Sequence, residues 1–208
     1  MEYQGYEFNH SPNCGTLRQE QYVALIDALE EVKPERIIEF GVGQTTRIFE
    51  HYCQKYNKTL VSITHEERLA RADTHVFPVM ENSELTIDGR TYGPINRYYG
   101  LEEWLTTQEK FDFIVIDDPP GFGDARERLY THCRIQVIDF PLLDKLADNA
   151  IIYYHDSERR NAKATLTELE SILNEKNFSF ERTQDRPDHS IVISSYRQMT
   201  KFVVTKNN

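Results

Sequence analysis

Residues 37–49 read Ile37-Ile38-Glu39-Phe40-Gly41-Val42-Gly43-Gln44-Thr45-Thr46-Arg47-Ile48-Phe49. A short apolar run ends in an acidic residue, meets two glycines and passes at once into the polar start of a helix. In a parallel α/β sheet this is where a small anionic or polar ligand is received. The glycines let the backbone turn and come close, and the first amides of the helix have no partner inside it. Gly41-x-Gly43 alone occurs in nucleotide sites and in plain turns. Gln44-Thr45-Thr46 stands where a dinucleotide fingerprint would carry its third glycine.

Working outward, residues 16–32 place Leu17, Val23, Ala24, Leu25, Ala28, Leu29 and Val32 at helical spacing, and Lys33-Pro34 ends that helix. Residues 1–15 are polar and aromatic without a period. They read as an extended arm, either free or laid over a site by Tyr3, Tyr6, Phe8 and His10. Strands are expected at 36–40, 59–63, 75–80, 111–116 and 150–154, and helices at 45–56, 124–146 (interrupted at Pro141) and 161–176. The unbroken Phe, Ile and Val of 111–116 suit burial on both faces. Residues 178–182 and 190–194 read as an antiparallel pair, and 201–205 as a last edge strand. Residues 81–99, with turn signals at Asp88-Gly89 and Gly93-Pro94, read as a long irregular connection. With the short helix after Gly100 they would make a substrate lid at 81–105. The fold class is α/β: a doubly wound, mostly parallel seven-stranded sheet with helices on both faces and an antiparallel C-terminal strand pair, one domain over 16–208 behind the arm.

A net charge of -10 over 208 residues argues against a nucleic-acid backbone as the main partner. Cys14, Cys53 and Cys133 are odd in number and widely spaced, which fits a reducing, cytoplasmic setting better than a disulfide framework. No stretch approaches the length of a membrane span, and the start lacks the pattern of a signal peptide. Twelve tyrosines and eleven phenylalanines supply aromatic surface for a pocket or for a homo-oligomer contact.

Ligand groups should collect where the parallel strands exit. Glu39 is a carboxylate in a buried strand and needs donors. Thr64, His65 and Glu66 follow the second strand, where ribose hydroxyls are read, and Glu66 is the best acceptor among them. Glu81, with Asn82 and Ser83, would face the base. Asp117, Asp118, His155 and Asp156, with Arg126 and Arg159, form the chemical set. A histidine beside an aspartate can take a proton from a hydroxyl, and the same carboxylates could hold a magnesium-like ion. Arg126 and Arg159 could bind an anionic group of an acceptor, with Tyr98, Tyr99 and Asp118 beside them.

The segments EFGVGQTT (39–46), VSITHEE (61–67), FDFIVIDDPPGFGDARERL (111–129) and NAIIYYHDSERR (149–160) together resemble the S-adenosylmethionine-dependent methyltransferases of the Rossmann-like class. They look most like its small O-methyltransferases, over residues 33–195. The resemblance implies that Glu39, Gly41 and Gly43 form the cofactor turn and that Thr45 and Thr46 cap the helix beneath the methionine portion. It also puts Asp117 beside the cofactor. Thr64 stands where such enzymes carry an acidic residue, leaving Glu66 to replace it, and Asp118 stands where glycine is common. Asp117 and Asp156 match approximately the metal-binding strand ends of catechol-type enzymes, but no third ligand is evident, so a divalent metal such as Mg2+ is not favoured. The implied activity is methyl transfer to a hydroxyl of a small polar acceptor such as a sugar, with His155, Asp117 and Asp156 catalytic. The alternatives are a non-methylating nucleotide or nucleotide-sugar transferase, a metabolite sensor, or an interaction module using the arm and residues 92–104.

Overall fold

The computed structural model describes residues 2–8, 17–87, 89–119, 132, 134–138, 142–184 and 199–207. The expected strand at 190–194, the helical stretch 124–131 with Arg126, and the residues His10, Asp88 and Pro141 lie outside them. The chain runs β1 (Glu2–Tyr3), β2 (Tyr6–Glu7), α1 (Gln19–Val32), β3 (Arg36–Phe40), α2 (Gln44–Tyr56), β4 (Thr59–Thr64) and β5 (Thr74–Val76). It continues with β6 (Val79–Ile87), β7 (Arg90–Tyr98), α3 (Leu101–Thr106), β8 (Phe111–Ile116), α4 (Ile135–Ile138), β9 (Leu146–His155), α5 (Arg160–Glu175), β10 (Phe178–Gln184) and β11 (Met199–Lys206).

Seven strands form one sheet in the order β10-β11-β9-β8-β3-β4-β5. β5, β4, β3, β8 and β9 are parallel to one another, and β11 pairs antiparallel with both β9 and β10. The chain starts at β3, steps outward through β4 to β5, then crosses back to β8 and β9. The strand order therefore reverses between β3 and β8, where a doubly wound sheet opens its ligand crevice.

Alternation along the central strands divides the interior into two cores. Ile37, Phe113, Val115, Ile151 and Tyr153 pack with Tyr22, Leu25, Ile26 and Leu29 of α1 and with Ile48, Phe49 and Tyr52 of α2. Ile38, Phe40, Ile114, Ile116, Ile152 and Tyr154 face Leu101 and Leu105 of α3 and Leu166, Leu169 and Leu173 of α5. In α1 the buried face includes Tyr22 and Ile26, whereas Val32 is exposed, so the stripe is rotated from the one the spacing suggests.

Four expectations are corrected. Residues 81–99 are not irregular: they belong to an antiparallel hairpin, β6 with β7, that buries Leu85, Tyr92, Ile95 and Tyr98 against the second core. Gly93-Pro94 is no turn but a bulge, two residues lying opposite Glu84 between the pairs Ser83–Ile95 and Leu85–Tyr92. The edge strand is β10 rather than 201–205, because β11 lies between β9 and β10. The third expected strand is split at Phe77-Pro78 into β5 and the start of β6. The described part of the arm is held: Tyr6 is fully buried and donates to Glu30 Oε1 at 2.6 Å, and Phe8 stacks on Tyr22 at 4.9 Å.

A Cβ on Gly93 would lie 2.8 Å from Cγ and 3.3 Å from Cα of Glu84, the latter a backbone atom that cannot swing away. Gly93→Ala is expected to cost about 1–3 kcal/mol. Urea unfolding checks this, and an unchanged midpoint would show that the bulge relaxes freely.

Candidate functional site

β3 delivers Glu39 to the exit of the sheet in register with Ser62 of β4 on one side and Val115 of β8 on the other. One neighbour can donate and the other cannot. Ser62 Oγ donates to Glu39 Oε1 at 2.6 Å, while Oε2, fully buried, has no hydrogen-bond partner among the described residues. Burial pushes this carboxyl up to about 7, against the hydroxyls of Ser62 and Thr46. Above it the chain turns at Gly41, with φ at +106°, and a Cβ there would lie 3.2 Å from Cβ of Asp118. Only glycine meets both demands without displacing β8's exit. Gly43 then caps α2, its N–H donating to Thr46 Oγ1 at 2.9 Å.

This turn opens onto a cleft of about 630 Å³ lined by Gly41, Gly43, Thr45, Thr64, His65, Glu66, Asp117 and Asp118, with Leu17 and Tyr22 from the N-terminal side. Glu39 and Thr46 lie buried beneath it. Thr64 keeps its hydroxyl for the local chain, accepting the Glu66 N–H at 3.1 Å. Glu66 takes the Arg68 guanidinium at 2.5 Å at the cleft's outer wall. Glu81 and Tyr99 are exposed and are not among the lining residues. Their spacing put them near the site, but the hairpin turns both outward.

Asp117 and Asp118 end β8 and behave differently. The Asp117 side chain is 44 % exposed and that of Asp118 is 9 % exposed. Asp117 Oδ1 meets Nδ1 of His155, at the end of β9, at 2.8 Å. His155 is buried, and its Nε2 makes no hydrogen bond among the described residues. Burial works against a charged ring, but Asp117, by charge and hydrogen bond, together with Asp156 outweighs it and raises the His155 pKa above the ordinary 6.5. Asp118 Oδ2 accepts from His65 Nδ1 at 2.8 Å and from the Tyr98 hydroxyl.

Sequence reasoning missed the residue that ties these groups together. Arg134, almost wholly buried, donates to the carbonyls of Pro119 at 3.2 Å and His155 at 2.6 Å. It also reaches Asp117 Oδ1 at 3.1 Å and Asp156 Oδ2 at 3.5 Å. Arg159 holds the same Asp156 oxygen at 2.6 Å. Arg134 and Asp156 both take left-handed backbone, with φ at 63° and 59°, and this network holds them there. Gln136 is the second missed residue: its amide accepts the Tyr98 N–H at 2.6 Å and donates to the Tyr98 carbonyl at 2.8 Å. A lone arginine or glutamine in a stretch with apolar helical spacing carries no sign in sequence of facing inward. Nothing short of the fold shows them turned inward.

Asp117, His155 and Asp156 bring one donor atom each within 4.8 Å of one another, a spacing a metal could use. The guanidinium of Arg134 already bridges the two carboxylates, and a divalent cation beside it would be repelled. A metal ion at this triad is therefore not favoured.

No protein-family model and no curated protein matches the chain in sequence. Solved structures match it in shape. Cofactor-bound Rv0187 from MTB superposes with a TM-score of 0.55 at 13% identity, over 92% of this chain and 83% of that one. An O-methyltransferase from Bacillus cereus in complex with SAH gives 0.55 at 14%, over 93% and 84%. The O-methyltransferase TomG from Streptomyces achromogenes, involved in tomaymycin synthesis and bound to SAM, gives 0.54 at 14%, over 91% and 82%. The fold is that of the class I Rossmann-like methyltransferases. On this methyltransferase fold the cleft between Gly41 and Asp118 occupies the crevice at the reversal of strand order.

The buried carboxyl gives a direct test of the site's electrostatics. Glu39 holds its proton more tightly in the folded chain, so its contribution to stability is full below its ordinary 4.5 and is lost as pH rises to about 7. The loss is on the order of 3 kcal/mol. Glu39→Gln should remove that part of the pH dependence in urea unfolding of the ligand-free protein. An unchanged slope between the two pH values would show that Glu39 ionises normally.

Proposed function

We propose that the chain transfers a methyl group from S-adenosylmethionine to a hydroxyl of a small polar acceptor, such as a sugar or a sugar-containing metabolite. The observation that carries the reading is His155, buried beside the cleft with Nδ1 on Asp117 and Nε2 unpartnered among the described residues. Glu39, Gly41, Gly43, Thr45 and Thr46 would hold the methionine portion. The unpartnered Oε2 of Glu39 and the first-turn amides of α2 are hydrogen-bonding capacity that such a ligand can complete. Glu66 would take the ribose hydroxyls in place of the acidic residue that Thr64 lacks. Bound there, S-adenosylmethionine supplies a methyl group already activated by its sulfonium.

His155 Nε2 removes the proton of the acceptor hydroxyl while Nδ1–H stays on Asp117, which fixes the ring and stabilises its charged form. Asp156 and Arg134 hold that pair from behind, and Arg159, whose guanidinium also holds Asp156 at 2.6 Å, would bind an anionic group of the acceptor. Arg126, the other arginine proposed for the acceptor, lies outside the described residues. Much of the rate would come from alignment, since the donor needs no further activation. The proposed setting is the cytoplasm, in line with the odd, scattered cysteines.

A second reading, a nucleotide-sugar binder or sensor on the same fold, draws on Thr64, whose hydroxyl is already used by the Glu66 amide. Calorimetric titration with S-adenosylmethionine and S-adenosylhomocysteine separates the two. Micromolar binding of either supports methyl transfer, and silence from a folded sample favours the second reading. Once an acceptor screen yields turnover, His155→Gln should leave cofactor affinity intact and lower the rate roughly a hundredfold or more.

The base must be uncharged to act, so turnover should rise with pH through a midpoint above 6.5, the ordinary histidine value. Asp117→Asn removes the charge that raises it, and the midpoint should move to lower pH. A pH–rate profile identical in wild type and Asp117→Asn would remove the pair from the mechanism.

A further inference from the structure

A second histidine–aspartate pair lies on the other side of the β8 exit. Asp118 is buried and spends one oxygen on two donors, His65 Nδ1 at 2.8 Å and the Tyr98 hydroxyl. Tyr98 is fully buried, and its backbone N–H and C=O are both clamped by the Gln136 amide. A buried carboxylate fixed by a buried phenol is costly unless it orients something. What it orients is His65, whose ring lines the cleft with 26 % of its side chain exposed. Its Nε2 stands 4.0 Å from Glu66 Oε1, an ion-pair distance for the charged ring that is too long for a hydrogen bond. With Nδ1–H committed to Asp118, the charged ring offers Nε2–H as a donor, and the neutral ring offers there only a lone pair.

His65 follows the end of β4, where doubly wound sheets read the sugar of a nucleotide. The preceding Thr64 offers no carboxylate, and its hydroxyl accepts the Glu66 N–H. We propose that His65, positioned by Asp118 and Tyr98, reads the nucleoside half of the cofactor, its Nε2–H donating to a lone pair of the adenosine. The acceptor atom is a ribose oxygen or a ring nitrogen of the base. This rests on the reading of the cleft as an S-adenosylmethionine site. It moves Asp118 and Tyr98 from the acceptor to the cofactor side, as positioning residues that act through His65.

The titratable and charged groups facing His65 are Asp118 at the β8 exit, Tyr98 from β7 behind it, and Glu66 and Arg68 after β4. The hydrogen bond to Asp118 raises the His65 pKa above the ordinary 6.5, against the burial of the ring. The donor therefore persists above the ordinary 6.5 and is lost as pH rises through the raised value.

The test is calorimetric titration of S-adenosylhomocysteine into wild type, His65→Phe, Asp118→Asn and Tyr98→Phe between about pH 6 and pH 9, bracketing the histidine range. At the acid end His65→Phe should bind roughly tenfold more weakly than wild type, the size expected for a hydrogen bond from a charged donor. Wild-type affinity should fall toward that of the variant as pH rises. Asp118→Asn should move the fall to lower pH, and Tyr98→Phe, which leaves the carboxylate one donor fewer, should move it to higher pH. Among deoxy and deaza analogues that each lack one adenosine lone pair, one should bind wild type and His65→Phe equally. Equal affinity of wild type and His65→Phe across the whole pH range overturns the inference. So does a loss in His65→Phe that is the same for every analogue and every pH, because then the ring only supports the fold. A wild type that binds neither S-adenosylmethionine nor S-adenosylhomocysteine overturns the function reading itself.

Discussion

Two adjacent carboxylates at the end of one buried strand, Asp117 and Asp118, set the arrangement of everything at the carboxyl edge of the sheet. Strand alternation sends neighbouring side chains in opposite directions. One meets β9's His155 and the other meets His65 after β4. Two negative charges this close repel one another, and the fold surrounds them with donors. Arg134 and His155 serve Asp117, and Tyr98 and His65 serve Asp118. Gly41 belongs to the same constraint, because its absent side chain leaves the space into which Asp118 packs.

The site also carries polar groups that packing alone would not retain. Glu39 is fully buried with one oxygen unpartnered among the described residues, and His155 is buried with Nε2 in the same state. Such atoms cost stability in the ligand-free chain. They occur beneath and beside one cleft, where a bound molecule can complete them. Arg134 balances charge at this point: one guanidinium touches the carboxylates from both strand exits and the His155 carbonyl.

Much of the fold was legible in the sequence because the parallel strands are short, apolar and punctuated by glycine, proline or acidic residues. Residues 36–40 and 111–116 are exact in both readings, and Gly41, His65 and Asp117, each at or just past a strand end, line one cleft. The hairpin of β6 and β7 was hidden because its strands are polar on the outer face and broken by Gly93-Pro94, so no period-2 pattern stands out. The place of β11 inside the sheet depends on pairing between distant segments, which local composition does not encode. Arg134 and Gln136 were invisible for a related reason: their partners come from β7, β8 and β9, and a lone arginine or glutamine in sequence looks like surface.

The pairing of each aspartate with its own histidine is open to one direct measurement, the protonation of the histidine ring nitrogens followed by NMR in the ligand-free protein as pH is raised. His155 and His65 should both titrate above the ordinary 6.5, and when neutral both should keep the proton on Nδ1, facing Asp117 and Asp118. A neutral ring carrying its proton on Nε2 instead, or either histidine titrating below 6.5, would contradict the arrangement.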